Sequence, residues 1–116
     1  WLIARLFADD MWSGYGLRTL STKAARYRPL SYHNGSVWPH DTALFAAGLR
    51  RYGDATGFSR VREALVALAS RQADTRLPEL VGGYARDGAT PPLPYIESCR
   101  PQAWSAAAAL YLLGGD

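Results

Sequence analysis

Ten residues of the sequence are acidic, and four of them could carry proton chemistry. Asp54 reads as a turn or cap residue, and Glu63 as part of a solvated helix face. Asp9, Asp74, Asp87 and Asp116 fall in turns or at the chain end. Asp10, Asp41, Glu79 and Glu97 remain. Glu79 sits in Arg76-Leu77-Pro78-Glu79-Leu80, held by a rigid Leu-Pro and flanked by apolar leucines. That setting predicts partial burial, which raises a carboxyl pKa and poises the group for acid or base work. The competing reading is a surface glutamate in a loop. Asp41 falls in the first turn of a predicted helix. It either complements the helix dipole, a contribution of about 0.3–1 kcal/mol, or accepts a hydrogen bond from a sugar hydroxyl.

Asp41 closes the turn Tyr32-His33-Asn34-Gly35-Ser36-Val37-Trp38-Pro39-His40-Asp41, which crowds aromatic, imidazole, amide and carboxylate groups at a helix mouth. Aromatic faces stack on the C–H-rich faces of sugar rings, and planar polar groups take paired hydroxyls. The same composition would also serve a protein contact. His33, His40 and Cys99 lack CxxC or HxxxH spacing, so neither a metal nor a cofactor is expected. Ser31, His33 and Asp41 could be drawn as a triad, but no strand–turn–helix elbow accompanies them. GxGxxG and P-loop patterns are absent.

The elements that must position these groups are helices. Residues 2–8 read as the end of a buried helix. Asp9 to Gly16 follows as an exposed, sharply bent loop in which two glycines flank Tyr15. A helix is predicted from Val37 or Trp38 to Tyr52, with Ser36 as a possible cap and Pro39 in the first turn. Trp38, Phe45, Leu49 and Tyr52 share one of its faces, and Gly53 ends it. Phe58, Val61, Leu65 and Leu68 form the apolar stripe of a second helix ending near Ala73, so the two make an αα-hairpin. Arg76 to Tyr95 is a long ordered loop, of the kind that carries function. A last helix begins at Pro101, ends at Gly114-Gly115 and is apolar all round from Ala106, which predicts burial on more than one side.

Composition sets the outer limits. The chain has 116 residues, 48% of them hydrophobic and 20% charged, with a net charge of +3. This is the composition of a soluble globular protein in the size range of one domain. The arginines are scattered, which argues against a nucleic-acid partner. No apolar run reaches the length of a membrane span. A single cysteine excludes an internal disulfide framework and fits a reducing, cytoplasmic setting. Trp1 to Ala8 lacks the basic lead and cleavage site of a signal peptide. With no initiator Met and an opening in mid-helix, the chain is expected to be a fragment of something longer.

Four stretches together resemble the amylo-α-1,6-glucosidase (glycogen debranching) family of α/α-toroid glycosidases. They are Asp10-Met11-Trp12-Ser13-Gly14-Tyr15-Gly16-Leu17-Arg18-Thr19-Leu20, the turn from Tyr32 to Asp41, Arg76-Leu77-Pro78-Glu79-Leu80, and Pro94-Tyr95 with Ser98-Cys99-Arg100-Pro101-Gln102-Ala103-Trp104. The resemblance implies an all-α fold, with residues 1–116 as the C-terminal helical hairpins of one (α/α)6 catalytic domain and the rest of the toroid as partner. It implies inverting hydrolysis of α-glucosidic bonds in glycogen-like glucans, an acid and a base standing about 6.5–9.5 Å apart. Glu79 matches the general base. Tyr32, His33, Asn34, Trp38, Asp41, Gln102 and Trp104 would shape the sugar pocket. No residue here matches the family's general acid, so the chain alone is expected to be inactive. Asp10 belongs to a separate sugar-binding loop. The sequence departs from the family at Val81-Gly82-Gly83-Tyr84 and at Ile96-Glu97-Ser98. The rivals are another toroid hydrolase, trehalase-like or glucosylglycerate-type, and a non-catalytic helical sugar-binding or interaction module.

Overall fold

The computed structural model describes residues 1–114, and Gly115 and Asp116 lie outside it. The fold is all-α. The described residues hold four helices, α1 (Leu2–Leu6), α2 (Pro39–Arg51), α3 (Ala55–Ser70) and α4 (Ala103–Leu113), with a short turn between α2 and α3 and long loops elsewhere. Among the described residues, no helix is long and apolar enough to cross a membrane.

Helix α2 starts where Pro39 occupies the first turn, a position that forfeits no hydrogen bond. It stops at Gly53, whose φ of +75° an L side chain would resist. Asp54 then caps α3, its carboxylate accepting from the Gly57 N–H at 2.9 Å. The chain reverses through this short connection, so α3 packs back along α2 and α4 lies against both. Val61, Leu65 and Leu68 of α3 meet Ala46 and Leu49 of α2 and Ala108 and Leu112 of α4 in one apolar core.

Several expectations are corrected. Helix α1 buries none of its residues within these helices. Tyr52 does not share the buried face of α2 and is 82% exposed. Helix α3 ends at Ser70, ahead of Ala73. Helix α4 begins at Ala103, and Pro101 precedes its N-cap, Gln102. Only Ser105, Ala108 and Leu112 of α4 are buried, which leaves Leu110 and Leu113 facing outward. An apolar groove of about 370 Å³ between α3 and α4 is lined by Leu65, Val66, Ala109 and Leu110.

The loops are tied side by side beneath the helix mouths. Single antiparallel bridges link Trp12 to Leu17, Arg18 to Val37, Val37 to Val81, and Val81 to Pro94. The Asp9–Gly16 loop is not exposed as expected, since Trp12, Tyr15 and Gly16 are buried. Gly16 lies so close to α2 that a Cβ there would meet Thr42 Oγ1 and Val37 Cγ1 at 2.7 Å. The close approach predicted from the two glycines is therefore made to the protein's own backbone and side chains.

Candidate active site

The site is delivered by loops fixed at helix mouths and by the first turns of α2 and α4. The Tyr32–Trp38 turn is braced from within, because Ser36 does not cap α2. Its hydroxyl instead donates to the Tyr32 carbonyl at 2.9 Å and accepts from Trp38 Nε1 at 3.0 Å. Trp38 Nε1 also reaches the Tyr32 carbonyl at 2.9 Å. These bonds lock the indole, and Trp38 is only 5% exposed.

The Val37–Val81 pairing, with both N–H···O distances 2.9 Å, brings the Leu77–Val81 loop beside that turn. Ser105 fastens the same loop to α4, its buried hydroxyl donating to the Pro78 carbonyl at 2.8 Å. Glu79 is thereby carried inward and is 3% exposed. Its Oε1 accepts from the Tyr32 hydroxyl at 2.7 Å and its Oε2 from the Cys99 N–H at 2.7 Å.

The electrostatics differ from the sequence expectation. Burial does push the Glu79 carboxyl upward. The Cys99 N–H, the Tyr32 hydroxyl, the Cys99 thiol and the Gln102 side chain together outweigh it and hold the group below the usual glutamate range. Hydrogen bonds to the charged form thus win over desolvation. The reciprocal effects follow. Tyr32 is pushed up to about 12 by its bond to Glu79, with burial and the Glu79 charge adding to it. The Cys99 thiol rises for the same causes.

Around this carboxylate the rings form a continuous set. Tyr32 packs edge-on against Trp38 at 4.7 Å and His33 at 4.5 Å, and tilts against Tyr95 at 5.6 Å. His33 stacks on Trp38 at 5.6 Å. On the other side His40 stacks on Trp104 at 4.8 Å and meets Trp38 edge-on at 5.8 Å. Tyr32, His33, Trp38 and Trp104 are therefore brought together with Glu79, and the Gln102 side chain is near enough to help lower the carboxyl. Asn34 and Asp41 are exposed, Asn34 on the turn and Asp41 in the first turn of α2. Asn34 supports the turn through its backbone, its carbonyl accepting from the Arg28 N–H at 2.7 Å.

Three members of the set had no role in the site from their residue types. His40 stood out only as a possible metal ligand, although its place directly after Trp38-Pro39 could have marked it as a wall residue. Tyr95 was visible only within a motif. Cys99 acts mainly through its backbone N–H, which no residue type can signal. Among the described residues no three His, Cys, Asp or Glu side chains come together as a metal site would require. Asp10 lies apart from Glu79's partners. It is paired to Arg5 at 2.7 and 3.0 Å and bonded to the Ser21 hydroxyl, and these partners hold it down at about 2.

A carboxylate whose donors favour its charged form thus stands beside indole, phenol and imidazole rings at the helix mouths. Residues 3–90 match the mannosylglycerate hydrolase MGH1-like glycoside hydrolase domain, a span that includes the Tyr32–Asp41 turn and Glu79. A search of curated proteins found no match. With most of its length in that match, the chain belongs to the mannosylglycerate hydrolase MGH1-like family of glycoside hydrolase domains.

Proposed function

We propose that the chain supplies the base half of an inverting glycosidase centre, with Glu79 as the general base. The observation that carries this reading is a nearly inaccessible carboxylate whose partners favour its charged form. A base must be ionised before water arrives, and here the Tyr32 and Cys99 donors supply that preference. The exposed Trp104 offers a stacking face, the buried Trp38 backs the wall of the pocket, His33 and His40 extend it, and Asn34, Asp41 and Gln102 take hydroxyl groups of the sugar.

The proton donor would come from polypeptide beyond these 116 residues, since none of them matches the acid motif. The outward Leu110 and Leu113 and the groove between α3 and α4 support a seat for further helices of the same toroid. The isolated chain should then show no hydrolysis. The decisive experiment is Glu79→Gln in the complete polypeptide, which should abolish turnover and spare sugar binding. Near-normal turnover would sink the assignment.

For the substrate, two readings have separate support. The four motifs favour an α-1,6 branch of a glycogen-like glucan. The family match favours a small glycosylglycerate, of mannose or glucose. Turnover compared across branched glucan, trehalose, glucosylglycerate and mannosylglycerate separates them.

A further inference from the structure

The strap from Tyr95 to Pro101 lies over Glu79 and is thinly attached. Ile96 is 97% exposed, and Glu97, Cys99, Arg100 and Pro101 are exposed as well. The Ser98 N–H bond to the Tyr95 carbonyl, at 3.1 Å, is internal to the strap. Tyr95 leans on the Tyr32 ring, and the Cys99 N–H donates to Glu79 Oε2 at 2.7 Å. Among the described residues the remaining polar tether is the Arg100 guanidinium. It grips Asp74 at two points, Nε to Oδ2 at 3.0 Å and Nη2 to Oδ1. Its Nη1 donates to Gln72 Oε1 at 3.2 Å.

The anchor is itself fixed. Asp74 Oδ1 accepts from the Arg76 N–H at 3.0 Å, and Gln72 Nε2 reaches the Leu68 carbonyl at 3.4 Å, at the end of α3. We propose that Asp74 and Arg100 are positioning residues for Glu79, their ion pair seating the strap so that the Cys99 N–H stays on the carboxylate. This rests on Glu79 being the base.

The argument is one of geometry. An exposed ion pair contributes little to stability, but a forked guanidinium–carboxylate pair fixes orientation. Arg100 directly follows Cys99. A strap displaced by about 1 Å carries the 2.7 Å bond from Cys99 beyond hydrogen-bonding range. A buried carboxylate that loses a donor is left with desolvation less opposed. The titratable groups around Glu79 are Tyr32 from the turn and Cys99 from the strap, with His33, His40 and Tyr95 farther around the ring set. Arg76 is the other charged group at the clamp.

The test follows the Glu79 side-chain carboxyl by carbon-detected NMR titration in the 116-residue chain, together with exchange of the Cys99 amide. Asp74→Asn and Arg100→Gln should each raise the Glu79 midpoint. Each should speed Cys99 exchange by about tenfold or more, with the urea midpoint unchanged. Arg100→Lys, which keeps charge but not the fork, should fall between Arg100→Gln and the native chain. A Glu79 midpoint that stays put in both Asp74→Asn and Arg100→Gln overturns the proposal. The titration needs no turnover, so it fails independently of the base assignment, which Glu79→Gln turnover decides.

Discussion

Gly83→Ala should unfasten the Glu79 loop from the Tyr32–Trp38 turn. A Cβ on Gly83 would stand 1.8 Å from the Gly35 carbonyl oxygen, where real contacts of this kind begin near 3.0 Å. The obstacle is backbone and cannot rotate aside, so the two segments must part by about 1.2 Å. Gly83 is also a junction. Its N–H donates to the Pro29 carbonyl at 2.9 Å, and its carbonyl accepts from Arg18 Nε at 2.6 Å and the Tyr27 hydroxyl at 3.1 Å. Overpacking costs about 1–3 kcal/mol, and each weakened hydrogen bond adds about 1 kcal/mol. The expected loss is thus about 3 kcal/mol or more, read from urea unfolding followed by circular dichroism. Gly48→Ala is the control. Nothing lies within 4 Å of a Cβ there, and the site is inside α2, so it should gain about 0.5–1 kcal/mol. A Gly83→Ala chain within about 1 kcal/mol of the native one would refute the claim that this contact locks the loops.

Other perturbations probe the same scaffold. Tyr32→Phe keeps the ring packing but removes the 2.7 Å donor to Glu79. The Glu79 midpoint should rise, and in the complete enzyme the acid side of the pH–rate profile should move to higher pH; an unmoved profile would count against Tyr32 as a donor to the working base. Ser105→Ala leaves the buried Pro78 carbonyl without its partner and should cost about 1–3 kcal/mol by urea unfolding. Asp10 is held at about 2 against an ordinary 3.8, so its stabilisation is present above the ordinary value and lost as pH falls through about 2. Acid titration of Asp10→Asn should lack that component, and a curve parallel to the native one would refute the assignment.

The parts of the fold that could be read from the sequence are those set by neighbours along the chain. Pro39, Gly53 and Asp54 act locally, and each marks a helix boundary where expected. The Val61, Leu65 and Leu68 stripe needs only helical period to be seen. Residues whose role depends on how side chains fold back on the chain, or on a distant partner, are not legible. Ser36 looks like a cap by position, but the Trp38 indole claims its hydroxyl. Helix α4 is apolar on every side, and its pattern cannot say which face these four helices cover. Glu79 was identified as a carboxylate of interest, yet the sign of its shift was missed. Its deciding donor is a backbone N–H twenty residues along the chain. Gly83, a departure from the family pattern, acquires a reason only once Gly35 is seen against it.

The sign of that shift bears on which half of an acid–base pair Glu79 can be. An inverting glycosidase needs one carboxyl that keeps its proton at working pH and one that has already lost it. Burial without donors, or a neighbouring anion, serves the first; donors converging on both oxygens serve the second. Tyr32 donates to one oxygen of Glu79 and the Cys99 N–H to the other, and the Gln102 side chain lowers the carboxyl further. This is an environment for a base and a poor one for an acid. Its donors also divide along the chain. Tyr32 and Glu79 fall within the matched residues 3–90, while Cys99 and Gln102 follow them. The matched span thus carries the proposed base, and the strap beyond it does much to set how readily that base ionises.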